Sequence, residues 1–207
     1  MVEAGVIVSL GHSDAQEREA RALFDAGARG ATHLFNAMSQ LSGRAPGLVG
    51  ASIDHAEVWC GIIADGHHVD AVSLRLAQRA KSASPGPARL FLVTDAMALL
   101  GSGRDGFLLH GRKVKRTSEG YCPRLTLEDG TLAGSDLDMA TAIRFMMERV
   151  GLPLEEALAM ATSYPARFLG LSDRGLLKQG LRADLVHLDD SLRVTGTWLG
   201  GQPAVMG

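Results

Sequence analysis

Short apolar runs alternate along this chain with segments of helical period. Val6-Ile7-Val8-Ser9-Leu10 is strand-like and stops at Gly11-His12-Ser13. Ser13, with Gln16 three residues on, predicts a capping box. Ala20, Leu23, Phe24 and Gly27 then recur at helical spacing on one inner face. A short strand is expected over 31–35, ending around His33. Residues 36–50 carry Gly43, Pro46, Gly47 and Gly50 and read as a long loop or irregular turn. The fully apolar run at 58–65 (VWCGIIAD) reads as a strand of the buried parallel kind. Val69, Val72, Leu76 and Ala80 mark the next helix face. A breaker cluster at 82–87 then leads into another buried strand, 90–95.

These strands recur about 21–32 residues apart with helices between the better-defined pairs, the rhythm of βα units and hence of a parallel sheet. After Asp95 the rhythm breaks. Residues 106–128 hold short β-like pieces with turns at Gly111 and Glu119-Gly120, a hairpin excursion. Met139, Ile143, Met146, Met147 and Val150 mark one amphipathic helix, with Ser135 its expected N-cap. A second helix runs from Leu154 until Pro165 interrupts it. The tail, with strands around an Asp189-Asp190 turn, differs in pattern, and a domain boundary is expected near residue 177.

At 207 residues and 46% apolar, the chain can bury one ample core or two small ones. Twenty-one Lys and Arg balance 23 Asp and Glu, which removes the broad cationic surface of a nucleic-acid binder. No run approaches 18 uncharged apolar residues, so no membrane span is expected. Glu3 and the lack of a basic n-region argue against a signal peptide, and a cytoplasmic location is expected. Cys60 and Cys122 are too few for a disulfide framework or a zinc ribbon, and Cys60 reads as a small core residue.

The reactive side chains fall at strand ends. His12, His33, Asp65 and Asp95 each lie at or near the C-terminal end of a predicted strand. In a parallel α/β barrel those ends converge on one mouth. Two imidazoles and a carboxylate there suit Zn²⁺ or Fe²⁺, the carboxylate serving as ligand or as base. Any one such histidine alone is more often a structural hydrogen-bonder than a ligand; two of them with Asp95 on successive units bring the metal reading level with the structural one. His55, His110 and His187 read as surface residues, and the Met-rich helix as core. Arg44, in a Gly/Pro loop, is a solvated charge by default and an anion clamp if that loop lines the mouth.

The segments GHSDA (11–15), GATHLFNAM (30–38), GRAPGLVGA (43–51), GIIADGHHV (61–69), LVTDAM (92–97) and GTLAGSDLDM (130–139) occur in the order found in N-acetylglucosamine-6-phosphate deacetylases. YPARFLGL (164–171) and GLRADLVHLD (180–189) also match, so the resemblance covers essentially the whole chain. That family resemblance implies an α/β fold: the C-terminal half of a metal-dependent (β/α)8 TIM-type barrel over 1–176, with residues 177–207 as strands of a small β-sandwich. It implies His12 and His33 as metal ligands and Asp95 as the catalytic aspartate. Asn36, Ala37, Leu132, Ala133 and Gly134 would contact substrate, and Arg44 and His68 the sugar phosphate. His67 stands beside His68 where the family usually has another residue; His68 is favoured because it directly precedes Val69.

The implied cofactor is a divalent ion, zinc foremost, with iron or another divalent ion as the alternative. The implied partners are a small-molecule sugar phosphate and a second copy, a dimer sharing the phosphate contacts, with no nucleic acid and no membrane. The implied reaction hydrolyses the N-acetyl amide to glucosamine 6-phosphate and acetate. A whole barrel takes about 250 residues, and this chain begins at what resembles the family's fifth strand. A glutamate ligand and a substrate-binding histidine of the family are not among its residues. Half a barrel would also leave an open sheet edge and uncovered apolar surface. Two other functions share these residues: an amidohydrolase for a different N-acyl or cyclic amide, and a catalytically silent chain keeping sugar-phosphate binding or an interface role.

Overall fold

The computed structural model describes residues 1–83 and 86–204. Ser84 and Pro85 of the breaker cluster and the last three residues of the tail lie outside them. Four parallel strands, β1 (Ser9–Leu10), β2 (Gly30–Ala31), β3 (Trp59–Ile62) and β4 (Leu90–Leu92), pair in sequence order. That is the expected βα rhythm, although each strand is shorter than its apolar run. The two edges, β1 and β4, have no further strand beside them among the described residues.

Helix α1 (Glu17–Asp25) follows β1. Its capping box is formed by Gln16 and Glu19, the Gln16 N–H donating to Glu19 Oε2 at 2.7 Å. The expected Ser13–Gln16 box does not form, because Ser13 is bridged to Met38 and its Oγ accepts from Ala15 N–H. Ala20 and Phe24 are buried, whereas Leu23, expected on the same inner face, is 47% exposed.

Between β2 and β3 the expected long loop over 36–50 holds as far as Pro46, and its last four residues open a helix, α2 (Gly47–Asp54). Gly and Pro argue against helix by propensity, but Leu48, Val49 and Ala51 are fully buried, and burial outweighs a propensity cost of about 1 kcal/mol per Gly. Gly47, at φ 62°, is required: a Cβ there would lie 2.6 Å from the Ser39 carbonyl oxygen.

Helix α3 (Ala71–Lys81) starts at Asp70, whose carboxylate accepts from Val72 N–H at 2.7 Å. Its buried residues are Leu74, Ala77 and Lys81, while Val72 and Leu76 face outward. The helical period was right and its phase was not. Both Val72 and Leu76 are apolar, and no sequence signal separates a face that packs from one that does not.

The excursion is a three-stranded antiparallel sheet of β5 (Gly106–Leu109), β6 (Arg112–Thr117) and β7 (Arg124–Thr126). Leu99, Val114, Leu125, Leu127 and Ala133 form a small core of their own beneath it. The Met-rich segment is α4 (Met139–Phe145) continued by a single π-helical stretch over 146–150. Asp138, rather than Ser135, caps α4 by accepting from Thr141 N–H at 2.8 Å. Ser135 is engaged elsewhere: its hydroxyl donates to the Thr94 carbonyl and accepts from Leu137 N–H.

Helices α5 (Leu154–Ala161) and α6 (Ser163–Phe168) are separated at Thr162. The expected break at Pro165 falls earlier, because Pro165 sits in the first turn of α6, where no intrahelical N–H is needed. Phe168 stacks on Phe91 of β4 at 5.1 Å and Tyr164 meets Trp59 of β3 edge-on at 5.9 Å, so α6 covers the parallel sheet, and α5 packs against β4 beside it. The tail forms β8 (Leu185–Leu188), β9 (Val194–Leu199) and β10 (Gln202–Pro203), an antiparallel sheet. Asp189 closes the expected turn by accepting from the N–H groups of Ser191 and Arg193. Arg144 of α4 donates to Leu192 O at 2.8 Å and ties this sheet to the main core.

Candidate active site

Because β1 to β4 are parallel and adjacent, the residues after each strand share one edge of the sheet. His12, His33, Asp65 and Asp95 all lie there. Seven described non-glycine residues have positive φ, and four of them are His12 (47°), His33 (31°), Ala37 (49°) and Asp95 (51°). Such backbone costs of order 1 kcal/mol or more per residue. Its concentration on this edge marks a place where side-chain direction outweighs backbone comfort.

The Nε2 atoms of His12 and His33 are 2.9 Å apart, with the rings edge to face. His33 is buried and its Nδ1 has no hydrogen-bond partner; His12 is exposed. Two imidazole nitrogens at that distance repel unless a proton or a cation lies between them. Their convergence therefore fits a divalent metal held through both Nε2 atoms. Among the described residues no group of three or more His, Cys, Asp or Glu is arranged to hold a metal ion.

Asn36 and Ala37 follow His33 in a tight turn. Asn36 Nδ2 donates to the carbonyls of His33 and Leu34 at 3.2 and 3.3 Å. The Ala37 carbonyl accepts from Ser13 N–H at 3.0 Å, and Ser39 N–H returns a bond to Ser13 O, lacing this turn to the segment carrying His12. Arg44 is exposed before α2 and makes no hydrogen bond or ion pair among the described residues, leaving its guanidinium available to an anion.

Asp65 is almost completely buried. Its Oδ2 accepts from His68 Nδ1 at 2.6 Å, and its Oδ1 accepts from the N–H groups of His67 and His68, both at 2.8 Å. Burial pushes this carboxyl up, but the bonds from His68 and His67 outweigh it and hold the group below the usual carboxylate value. His67 Nε2 is occupied by the Cys122 carbonyl at 2.8 Å. Sequence reasoning noted Asp65 only as a strand-end carboxylate. The signal that could have found its role is the Asp-x-x-His spacing.

Asp95 is exposed, and its carbonyl accepts from Ser135 N–H at 2.9 Å. Met97 N–H donates to Ser135 O, so the turn at Leu132, Ala133 and Gly134 is pinned against the Asp95 segment. Gly134 has φ 64°, and a Cβ there would lie 2.5 Å from Met97 Cγ and 3.0 Å from the Asp95 carbonyl oxygen. The structure thus joins His12 with His33, and Asp95 with the 132–134 turn.

A parallel sheet with paired histidines and an aspartate along one edge is the arrangement of a metal-dependent hydrolase, and the chain belongs to the amidohydrolase family, whose family model matches residues 1–204. Members of that family are generally metal-dependent. The chain is 45% identical over 98% of its length to an N-acetylgalactosamine-6-phosphate deacetylase of Shewanella sp. (strain ANA-3), covering 49% of that protein. It is 38% identical over 97% of its length to an N-acetylglucosamine-6-phosphate deacetylase of Haemophilus influenzae, covering 51% of it. The crystal structure of N-acetylglucosamine-6-phosphate deacetylase from Pasteurella multocida superposes with a TM-score of 0.90 at 38% identity, over 99% of this chain and 52% of that one. The chain spans about half the length of the curated relatives it matches. No helix of the described residues is long and apolar enough to cross a membrane.

Proposed function

We propose that this chain supplies the metal-binding histidines, the catalytic aspartate and phosphate contacts of a deacetylase that hydrolyses the N-acetyl amide of N-acetylglucosamine 6-phosphate to glucosamine 6-phosphate and acetate. The observation that carries this is the convergence of His12 and His33 on the same sheet edge as Asp95. The chain would form the C-terminal half of a (β/α)8 barrel over 1–176, with 177–207 contributing to a small β-sandwich, in a cytoplasmic dimer. His12 and His33 would hold a divalent ion, zinc foremost. When bound, that ion lowers the pKa of water and polarises the acetyl carbonyl.

Asp95, exposed at the end of β4, takes the proton of the attacking water and returns it to the departing amine, which is otherwise a poor leaving group. Asn36, Ala37 and the 132–134 turn line the sugar. Arg44 and His68 meet the phosphate, where an unpaired guanidinium gives charge-assisted bonds.

A second reading differs only in sugar epimer: the relative at 45% identity is named for the galactosamine substrate and that at 38% for the glucosamine one. The test is acetate release by the purified chain with zinc, alone and supplied with the part of the relatives it does not span. Both 6-phosphates, unphosphorylated N-acetylglucosamine and an Asp95→Asn control are compared. Release from one 6-phosphate, lost in the control, is expected. Release from the unphosphorylated sugar at equal efficiency would point to a different amide substrate, and no release in either preparation would leave a silent chain.

A further inference from the structure

Two adjacent histidines on the loop after β3 have opposite environments. The ring of His67 is committed through Nε2 to the Cys122 carbonyl, and Gly120 packs so closely that a Cβ there would lie 2.6 Å from His67 Cε1. His67 therefore fastens this loop to the antiparallel sheet. The side chain of His68 is only 8% exposed, its Nδ1 is held by Asp65, and Asp65 itself is 2% exposed. Nε2 of His68 has no hydrogen-bond partner among the described residues, yet it is not among the buried polar atoms left without one. It is the one polar corner of a fixed ring that still meets solvent.

We infer that Asp65 is a positioning residue: it fixes the proton on His68 Nδ1 and so presents Nε2 to the phosphate end of the substrate. The inference rests on the phosphorylated-sugar function proposed above. A carboxylate with all of its contacts made by His67 and His68 has no freedom to act elsewhere. It can only orient. With Nδ1–H committed to an anion, a phosphate oxygen at Nε2 places the ring between two negative groups. Such a ring donates at each end, to Asp65 through Nδ1 and to the phosphate oxygen through Nε2. The buried carboxylate is ionised at neutral pH, as its hydrogen bonds require. The one charged group shown against His68 among the described residues is Asp65, whose own carbonyl accepts from the Cys122 thiol at 3.7 Å.

The test compares wild type with Asp65→Asn in the zinc-loaded preparation that releases acetate. The amide keeps an acceptor for the two backbone N–H groups but turns an N–H toward His68, moving the ring proton to Nε2. The expected result is a rise in KM for the phosphorylated sugar of about 10–100-fold, with kcat nearly unchanged and efficiency on the unphosphorylated sugar unmoved. Equal losses on both sugars would make Asp65 merely structural and overturn the inference while the function stands. A wild type with no preference for the phosphorylated sugar would overturn both. Because the variant could fail to fold, ¹⁵N spectra of the wild-type histidines give an independent readout. Nδ1 of His68 should be protonated with or without inorganic phosphate, and Nε2 should gain a proton when phosphate is added. A His68 ring protonated on Nε2 alone would overturn the inference.

Discussion

Nε2 of His12 and Nε2 of His33 face each other across 2.9 Å, although the residues are 21 positions apart and follow different strands. The parallel pairing of Ser9 with Gly30 and Leu10 with Ala31 sets this distance. Both histidines have positive φ, and their rings converge on each other. The pair is expected to carry the metal affinity of this half of the site. His12 is exposed, so His12→Asn should leave the urea midpoint unchanged while weakening zinc binding by at least about 10–100-fold. Isothermal titration with zinc checks this. Unchanged affinity would remove His12 from the ligand set.

Gly134→Ala tests the support behind Asp95. The added methyl meets Met97 and the Asp95 carbonyl in a left-handed backbone position. Met97 is flexible and yields, but the carbonyl is backbone and moves the aspartate with it. A stability loss of about 1–2 kcal/mol is expected, together with a larger proportional fall in kcat than in thermal stability. Chemical denaturation alongside steady-state kinetics measures both; full activity would mean that Asp95 does not depend on this turn.

Lys81 holds the end of α2 to the start of β3. Its buried ammonium donates to the carbonyls of Ser52, His55 and Val58 at 3.1, 2.8 and 2.6 Å. Burial pulls its pKa below the ordinary lysine value. Lys81→Met fills the space but leaves those carbonyls short of a donor, at a cost of about 2–4 kcal/mol. The urea midpoint should fall accordingly, and a neutral result would show that water replaces the ammonium.

The two thiols should be silent in the native chain. Burial pushes Cys60 up to about 11 and, with Asp65, Asp136 and Asp138 nearby, Cys122 up to about 12. A maleimide at pH 7.5 should label neither until urea unfolds the protein. Rapid labelling of native Cys122 would indicate that the loop carrying it opens.

The order of strands, the excursion at 106–128 and the reactive residues at strand ends were legible in the sequence, because each rests on local pattern: apolar runs, turn residues, and polar side chains placed where a run stops. What local pattern could not decide was phase and partnership. The helix at Gly47–Asp54 is held by burial of Leu48, Val49 and Ala51 against its two glycines. The capping roles expected of Ser13 and Ser135 passed to Gln16 and Asp138, because both serines were already engaged by distant backbone.

The same division holds at the site. Sequence alone supplied His12, His33, Asp95 and the pair His67-His68. Only the tertiary structure turned the first two into a convergent pair and gave His67 to a carbonyl 55 residues away. It left His68 held by Asp65 with one nitrogen available. Hydrogen-bond geometry is set by where backbones end up, and hydrophobic periodicity carries no information about that.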